Sequence, residues 1–95
     1  MMKINDKTMS KRANGMINTF IEKLVRADYY LNDGTYTVAP YVNSINTTYK
    51  VFIRMICSMR EYEVLTEKDF EKLCEHADKE LLDRNIDPRT AILSN

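Results

Sequence analysis

The chain has 95 residues, 44% apolar and 29% charged, with 14 Lys/Arg balancing 14 Asp/Glu. That composition supports one packed core and lies outside the charge-rich, apolar-poor range of disordered chains, so a single helical domain over residues 1–95 is expected. One histidine, two cysteines and two glycines leave no material for a disulfide framework, a cysteine-built metal centre or a glycine-rich phosphate loop. No stretch approaches the roughly 18 to 20 apolar residues of a membrane span, and the first six residues, Met1 to Asp6, show no signal-peptide run. A cytoplasmic protein with no membrane partner is therefore expected. Abundant Lys, Asn, Ile and Tyr, which AT-rich codons encode, point to a phage, a plasmid or a low-GC bacterium as source.

From Ala13, apolar residues recur at Met16, Ile17, Phe20, Ile21, Leu24 and Ala27, the three-and-four spacing of a single helix face. Thr8 or Ser10 can cap this first helix. Gly15 near its start costs about 1 kcal/mol relative to Ala, which predicts a late start or a kink. The segment Asp28 to Val38 has two readings that share a turn at Asp33-Gly34. Either the helix runs to Leu31 and Gly34 ends it in the left-handed conformation, or Asp-Gly is the two-residue turn of a small β-hairpin flanked by Tyr, Thr and Val. The hairpin is the favoured reading, with Pro40 closing off its strand and the polar run Asn43 to Thr48 supplying the next cap.

A second helix is expected from about Thr47 to Tyr62, apolar over most of its circumference, as suits a bundle centre or an oligomer interface. The third has the clearest local grammar. Thr66 caps it, Asp69 can complete a capping box, Leu65 can staple onto Phe70, and Phe70, Leu73, Cys74, Ala77 and Leu81 form its buried face. Glu75 with Lys79 and Glu80 with Arg84 are pairs four residues apart. Asn85 suits a left-handed helix end, and Asp87-Pro88 can start a short last helix through Leu93. The fold class that follows is mainly α: a three-helix bundle, a small hairpin between helices one and two, and a short C-terminal helix.

Catalysis needs convergent groups, and the single His76 sits mid-helix, about 200° around the axis from Cys74, so the two cannot grip one metal. A solvated helix histidine is the expectation, and buried structural thiols the expectation for Cys57 and Cys74. The row Glu67, Glu71, Glu75 and Asp78 is interleaved with Lys68, Lys72 and Lys79 and reads as a solvated face. No catalytic residue, metal or cofactor is assigned, and the chain is read as a non-enzyme.

Charge is unevenly spread. Residues 1–60 carry nine Lys/Arg against four Asp/Glu, whereas residues 61–95 carry five against ten. The simplest consequence is that the basic first helix packs beside the acidic third; the others are head-to-tail association and contact with phosphates. The stretch Tyr29 to Tyr49 concentrates tyrosines among Asn, Ser and Thr, a composition of protein-binding surfaces. The leading functional reading is a small accessory factor, inhibitor or adaptor that binds another protein, or itself, through Tyr29, Tyr30, Tyr36 and Tyr41 with Lys50 and Arg54 nearby. A second reading is a nucleic-acid-associated regulator using Lys7, Lys11, Arg12, Lys23 and Arg26. It is less favoured, because the acidic third helix and a pI of about 6.6 do not suit a phosphate-lined groove. A third is a homo-oligomer holding a small ligand between protomers.

Overall fold

The structure, a computed structural model, describes residues 3–93. It consists of four helices, α1 (Lys11–Asn32), α2 (Val38–Glu61), α3 (Glu67–Asp83) and α4 (Pro88–Leu93), and there is no strand among the described residues. The first three form the bundle, while α4 packs against α2 and α3.

α1 starts where Ser10 Oγ accepts the backbone N–H of Ala13, and it runs through Gly15 to Asn32. The expected hairpin is absent. Gly34, at φ 86°, ends α1 in the left-handed conformation, and Asp33 Oδ1 accepts the N–H of Thr35. The helical alternative wins because Leu31 and Tyr36 both pack against the helical core, which two exposed strands would not bury.

α2 begins nine residues earlier than expected, at Val38. Pro40 sits in the first turn of the helix and ends no strand. It is the third helical residue, where a missing N–H costs nothing because the first-turn donors have no intrahelical acceptor. The polar run Asn43 to Thr48 lies inside the helix, and the residues that matter are those between: Tyr41, Ile45, Tyr49, Phe52 and Ile56 make one buried stripe at helical spacing.

The α2–α3 and α3–α4 connections share one geometry. Glu63 and Asn85 take left-handed backbones (φ 61° and 60°); the N–H of Val64 reaches the Met59 carbonyl, and that of Ile86 the Leu81 carbonyl. Thr66 caps α3 as expected, its hydroxyl accepting the Asp69 N–H at 3.1 Å. Asp87 opens α4, accepting the N–H groups of Arg89, Thr90 and Ala91 through its side chain and carbonyl. The core centres on Ile17, Leu24, Ile45, Ile56, Leu73 and Leu81, all fully buried, and on Phe20, whose ring lies 4.6 Å from Phe52 and 6.5 Å from Tyr49.

Candidate functional site: an open groove between α1 and α2

α1 is flanked on one side by α3, and that seam is closed by polar groups. The N-terminal segment lies along it, clipped by two asparagines of α1. Asn18 bonds both backbone groups of Ile4 (2.7 and 2.8 Å), and Asn14 both backbone groups of Asp6 (2.7 and 2.8 Å). Asp6 then meets His76 of α3, Oδ2 to Nε2 at 2.8 Å, so His76 is a half-buried, paired group and not the solvated histidine expected. Hydrogen bonds from the Thr8 hydroxyl and from His76 hold the Asp6 carboxyl well below the usual carboxylate range. Asp69 does not turn back to complete a capping box. Buried, it accepts the N–H of Ser10 at 3.0 Å and joins the start of α3 to that of α1.

At the far end of the seam, Arg84 grips Asp28 of α1 through Nη2 and Nε at 2.7 and 3.0 Å, and reaches Glu80 at 3.1 Å. The Tyr41 hydroxyl donates to the same Asp28. Burial raises the Asp28 carboxyl, but the bonds from Arg84 and Tyr41 outweigh it and leave it below its ordinary value. The Tyr41 hydroxyl is pushed up to about 12 by burial and by Asp28. Tyr49 donates to Asp78 of the acidic row, while Glu67, Glu71 and Glu75 face solvent. The thiols are free and half-buried, less enclosed than expected, and burial pushes Cys74 up to about 11.

α1 packs beside α3 as expected, but the Asp28–Arg84 pair between them runs opposite to the expected pairing of a basic α1 with an acidic α3: the carboxylate comes from α1 and the cation from the end of α3. The basic side chains of α1 point elsewhere. At about 100° per residue, Arg12, Lys23 and Arg26 lie within roughly 60° of one another around the helix, and Tyr30 lies in the same arc. All three cations are exposed, and among the described residues none of Lys7, Lys11, Arg12, Lys23, Arg26 or Arg54 makes an ion pair.

Beside this arc, on the side of α1 turned toward α2, a groove of about 650 Å³ is open to solvent. Its α1 wall is Arg12, Gly15, Met16, Thr19, Phe20 and Lys23; its α2 wall is Thr47, Thr48, Val51, Phe52 and Met55. Met16, Phe20 and Phe52 belong to or pack on the core, whereas Val51 and Met55 are 58% and 43% exposed. The groove stays open because Gly15, Thr19, Thr47 and Thr48 are too short to bridge it. Among the described residues, no carboxylate, histidine or cysteine lines it.

Of the tyrosines expected to form one surface, Tyr41 turns into the core at 8% exposure, because α2 already includes it and its hydroxyl has Asp28 to bond. Tyr29, Tyr30 and Tyr36 remain together in an edge-to-face series, with centroids 5.9 and 5.5 Å apart, and Tyr29 is exposed. Lys50 is half-buried and Arg54 exposed, three residues beyond Val51. Gly15, Thr19, Thr47, Thr48 and Val51 are not among the site residues expected from the sequence, where Gly15 reads as a weak point of the helix and Thr47 and Thr48 as part of a cap. The available signal was that α2 carries more apolar faces than one bundle contact can cover.

Among the described residues, no group of three or more His, Cys, Asp or Glu could hold a metal ion, and no helix is long and apolar enough to cross a membrane. No protein-family model, curated protein or solved structure matches this chain.

Proposed function

We propose that the chain is a non-enzymatic protein-interaction module, an accessory factor, inhibitor or adaptor, which seats a partner protein in the α1/α2 groove with the Tyr29–Tyr30–Tyr36 series beside its end. The observation that carries this reading is the groove itself: an apolar floor kept open by short residues, with exposed Val51 and Met55 beside unpaired cations. Apolar anchors surrounded by polar and charged groups are the usual anatomy of a partner-binding patch. A lining of two cations, three threonines, one glycine and apolar side chains suits contact better than proton transfer.

Co-purification from the source cell with the wild type and with a Val51→Asp/Met55→Asp double variant tests it. The reading expects a partner lost from the variant while its helical circular dichroism is unchanged. Equal recovery of that partner would place binding elsewhere, and Tyr29→Ala/Tyr30→Ala then asks whether the tyrosines carry it.

The unpaired Lys11, Arg12, Lys23 and Arg26 favour a second reading, contact with nucleic acid along α1. Phosphate contacts make affinity fall steeply with salt, and Arg12→Ala/Lys23→Ala/Arg26→Ala would weaken it while Val51→Asp would not. The third reading, a small ligand held between protomers, requires a dimer or larger species by light scattering.

A further inference from the structure

The groove has a length, a charge and a depth that limit what fits it, on the reading that it is the binding site. From Arg12 to Lys23, α1 spans about 16 Å at 1.5 Å per residue, the length of three helical turns. Two helix walls with an apolar floor between them suit a third helix, laid in through side chains spaced three, four and seven apart. Arg12 and Lys23 stand at the two ends of the α1 wall, Arg26 follows one turn on, and Arg54 lies next to Val51 on α2; no carboxylate lines the groove. The two charged side chains that line the groove are therefore both positive, while Glu22 lies on the adjoining face of α1 beside Arg26.

Gly15 supplies an independent observation. It sits inside α1, its φ is not positive, and a Cβ added there would meet nothing within 4 Å. Neither the backbone nor the packing of this chain calls for a glycine, which weakens a helix relative to alanine. Its one structural effect is to lower the groove wall so that another backbone can approach α1 closely.

A second copy of this chain is a poor occupant. Its acidic helix, α3, turns Leu73, Ala77 and Leu81 into its own core and has no comparable row of anchors to offer. We infer that the α1/α2 groove receives an acidic amphipathic helix of a different protein, with its apolar face on Met16, Val51 and Met55 and its carboxylates toward Arg12, Lys23 and Arg54. Met16 and Met55 adapt to different anchor shapes, so the site selects charge and spacing more than one sequence.

Labelled peptides of about 14 residues, roughly four turns, test this by fluorescence anisotropy. One carries Leu at the anchor spacing and Glu elsewhere, a twin replaces every Glu by Lys, and a third replaces every Leu by Ala. The Glu peptide is expected to bind at least tenfold more tightly than its Lys twin, since like charges across an interface are strongly disfavoured, and more tightly than the Ala peptide. Gly15→Leu and Val51→Asp should each weaken it roughly tenfold, and Arg12→Glu/Lys23→Glu should invert the preference toward the Lys twin. If both charged peptides bind alike and Val51→Asp abolishes both, the acidic-helix inference is overturned while the groove remains the binding site. If binding of the Glu peptide ignores Val51→Asp and Gly15→Leu, the groove reading falls with it. Failure of the Glu peptide to bind also overturns the inference, as does light scattering that shows the groove occupied by a second copy and released by Val51→Asp.

Discussion

On the side of α1 that faces α3, charged and polar groups meet partners: Asp6 with His76, Ser10 with Asp69, Asp28 with Arg84 and Tyr41. On the side that borders the α2 groove, Arg12 and Lys23 stand over an apolar floor with no ion pair among the described residues, and Gly15 leaves the wall low. The same helix thus has one flank that closes the bundle and one that leaves it open. Removing a partner from the first flank strands a half-buried charge. Changing the second leaves the bundle intact and alters what can dock. Net charge along the sequence therefore says little about pairing, because Arg12, Lys23 and Arg26 of α1 lie on the flank turned away from the acidic helix, and the cation of the first sixty residues that does reach an α3 carboxylate is Arg60, at 3.6 Å from Glu67.

The largest effect is expected at Arg84, whose side chain is 14% exposed. Arg84→Met leaves Asp28 and Glu80 without their cation and should cost about 2–3 kcal/mol, below the loss for a fully buried pair because both carboxylates keep some solvent. Urea midpoints at pH 7 measure it, and a loss under about 0.5 kcal/mol would mean that the seam is not held by charge.

Next comes acid sensitivity. Asp28 and Asp6 are both held below the ordinary value of 3.8 in the fold, so the unfolded chain binds protons there first. Their contribution is fully present above that pH and is lost as pH falls through the lower, folded values. Asp28→Asn should therefore lose stability at pH 7 yet show a flatter decline than the wild type between pH 5 and 2, an interval that brackets about 3.8. Parallel acid curves would remove Asp28 from the account.

On the open flank the effects are smaller, and the first has the opposite sign. Gly15→Ala should stabilise the protein by about 0.5–1 kcal/mol, read from thermal melting, because the helix gains propensity and the new Cβ meets no neighbour. Val51→Asp, at a largely exposed position, should change stability by less than about 0.5 kcal/mol while it weakens binding of the acidic peptide roughly tenfold. A large loss of stability from Val51→Asp would show that the groove side chains belong to the core.

The closed flank was partly legible from the sequence, and the open one hardly at all. The α1 stripe from Ala13 to Ala27, the Thr66 cap, the Glu80–Arg84 pair, the Asn85 end and the Asp87-Pro88 start are local signals, and each appears as read. α2 was shortened because Asn, Ser and Thr favour caps over helix interiors, although Tyr41, Ile45 and Tyr49 kept the period through the polar run. Asp6–His76 and Ser10–Asp69 join residues 70 and 59 apart, and no spacing rule reaches them. The groove depends on how α1 and α2 face each other, so Gly15 read as a weak point in a helix when it is a low point in a wall.

If the α2-side flank of α1 receives the partner, the α3-side flank stays free of it. Amide chemical shifts of the labelled protein, followed during titration with the Glu-rich amphipathic peptide, address both flanks at once. Docking in the groove is expected to shift Gly15, Thr19, Lys23, Val51 and Met55 progressively, with Ile4, Asn18 and His76 unmoved. Shifts concentrated on Ile4, Asn18 and His76, or spread evenly over the bundle, would contradict it.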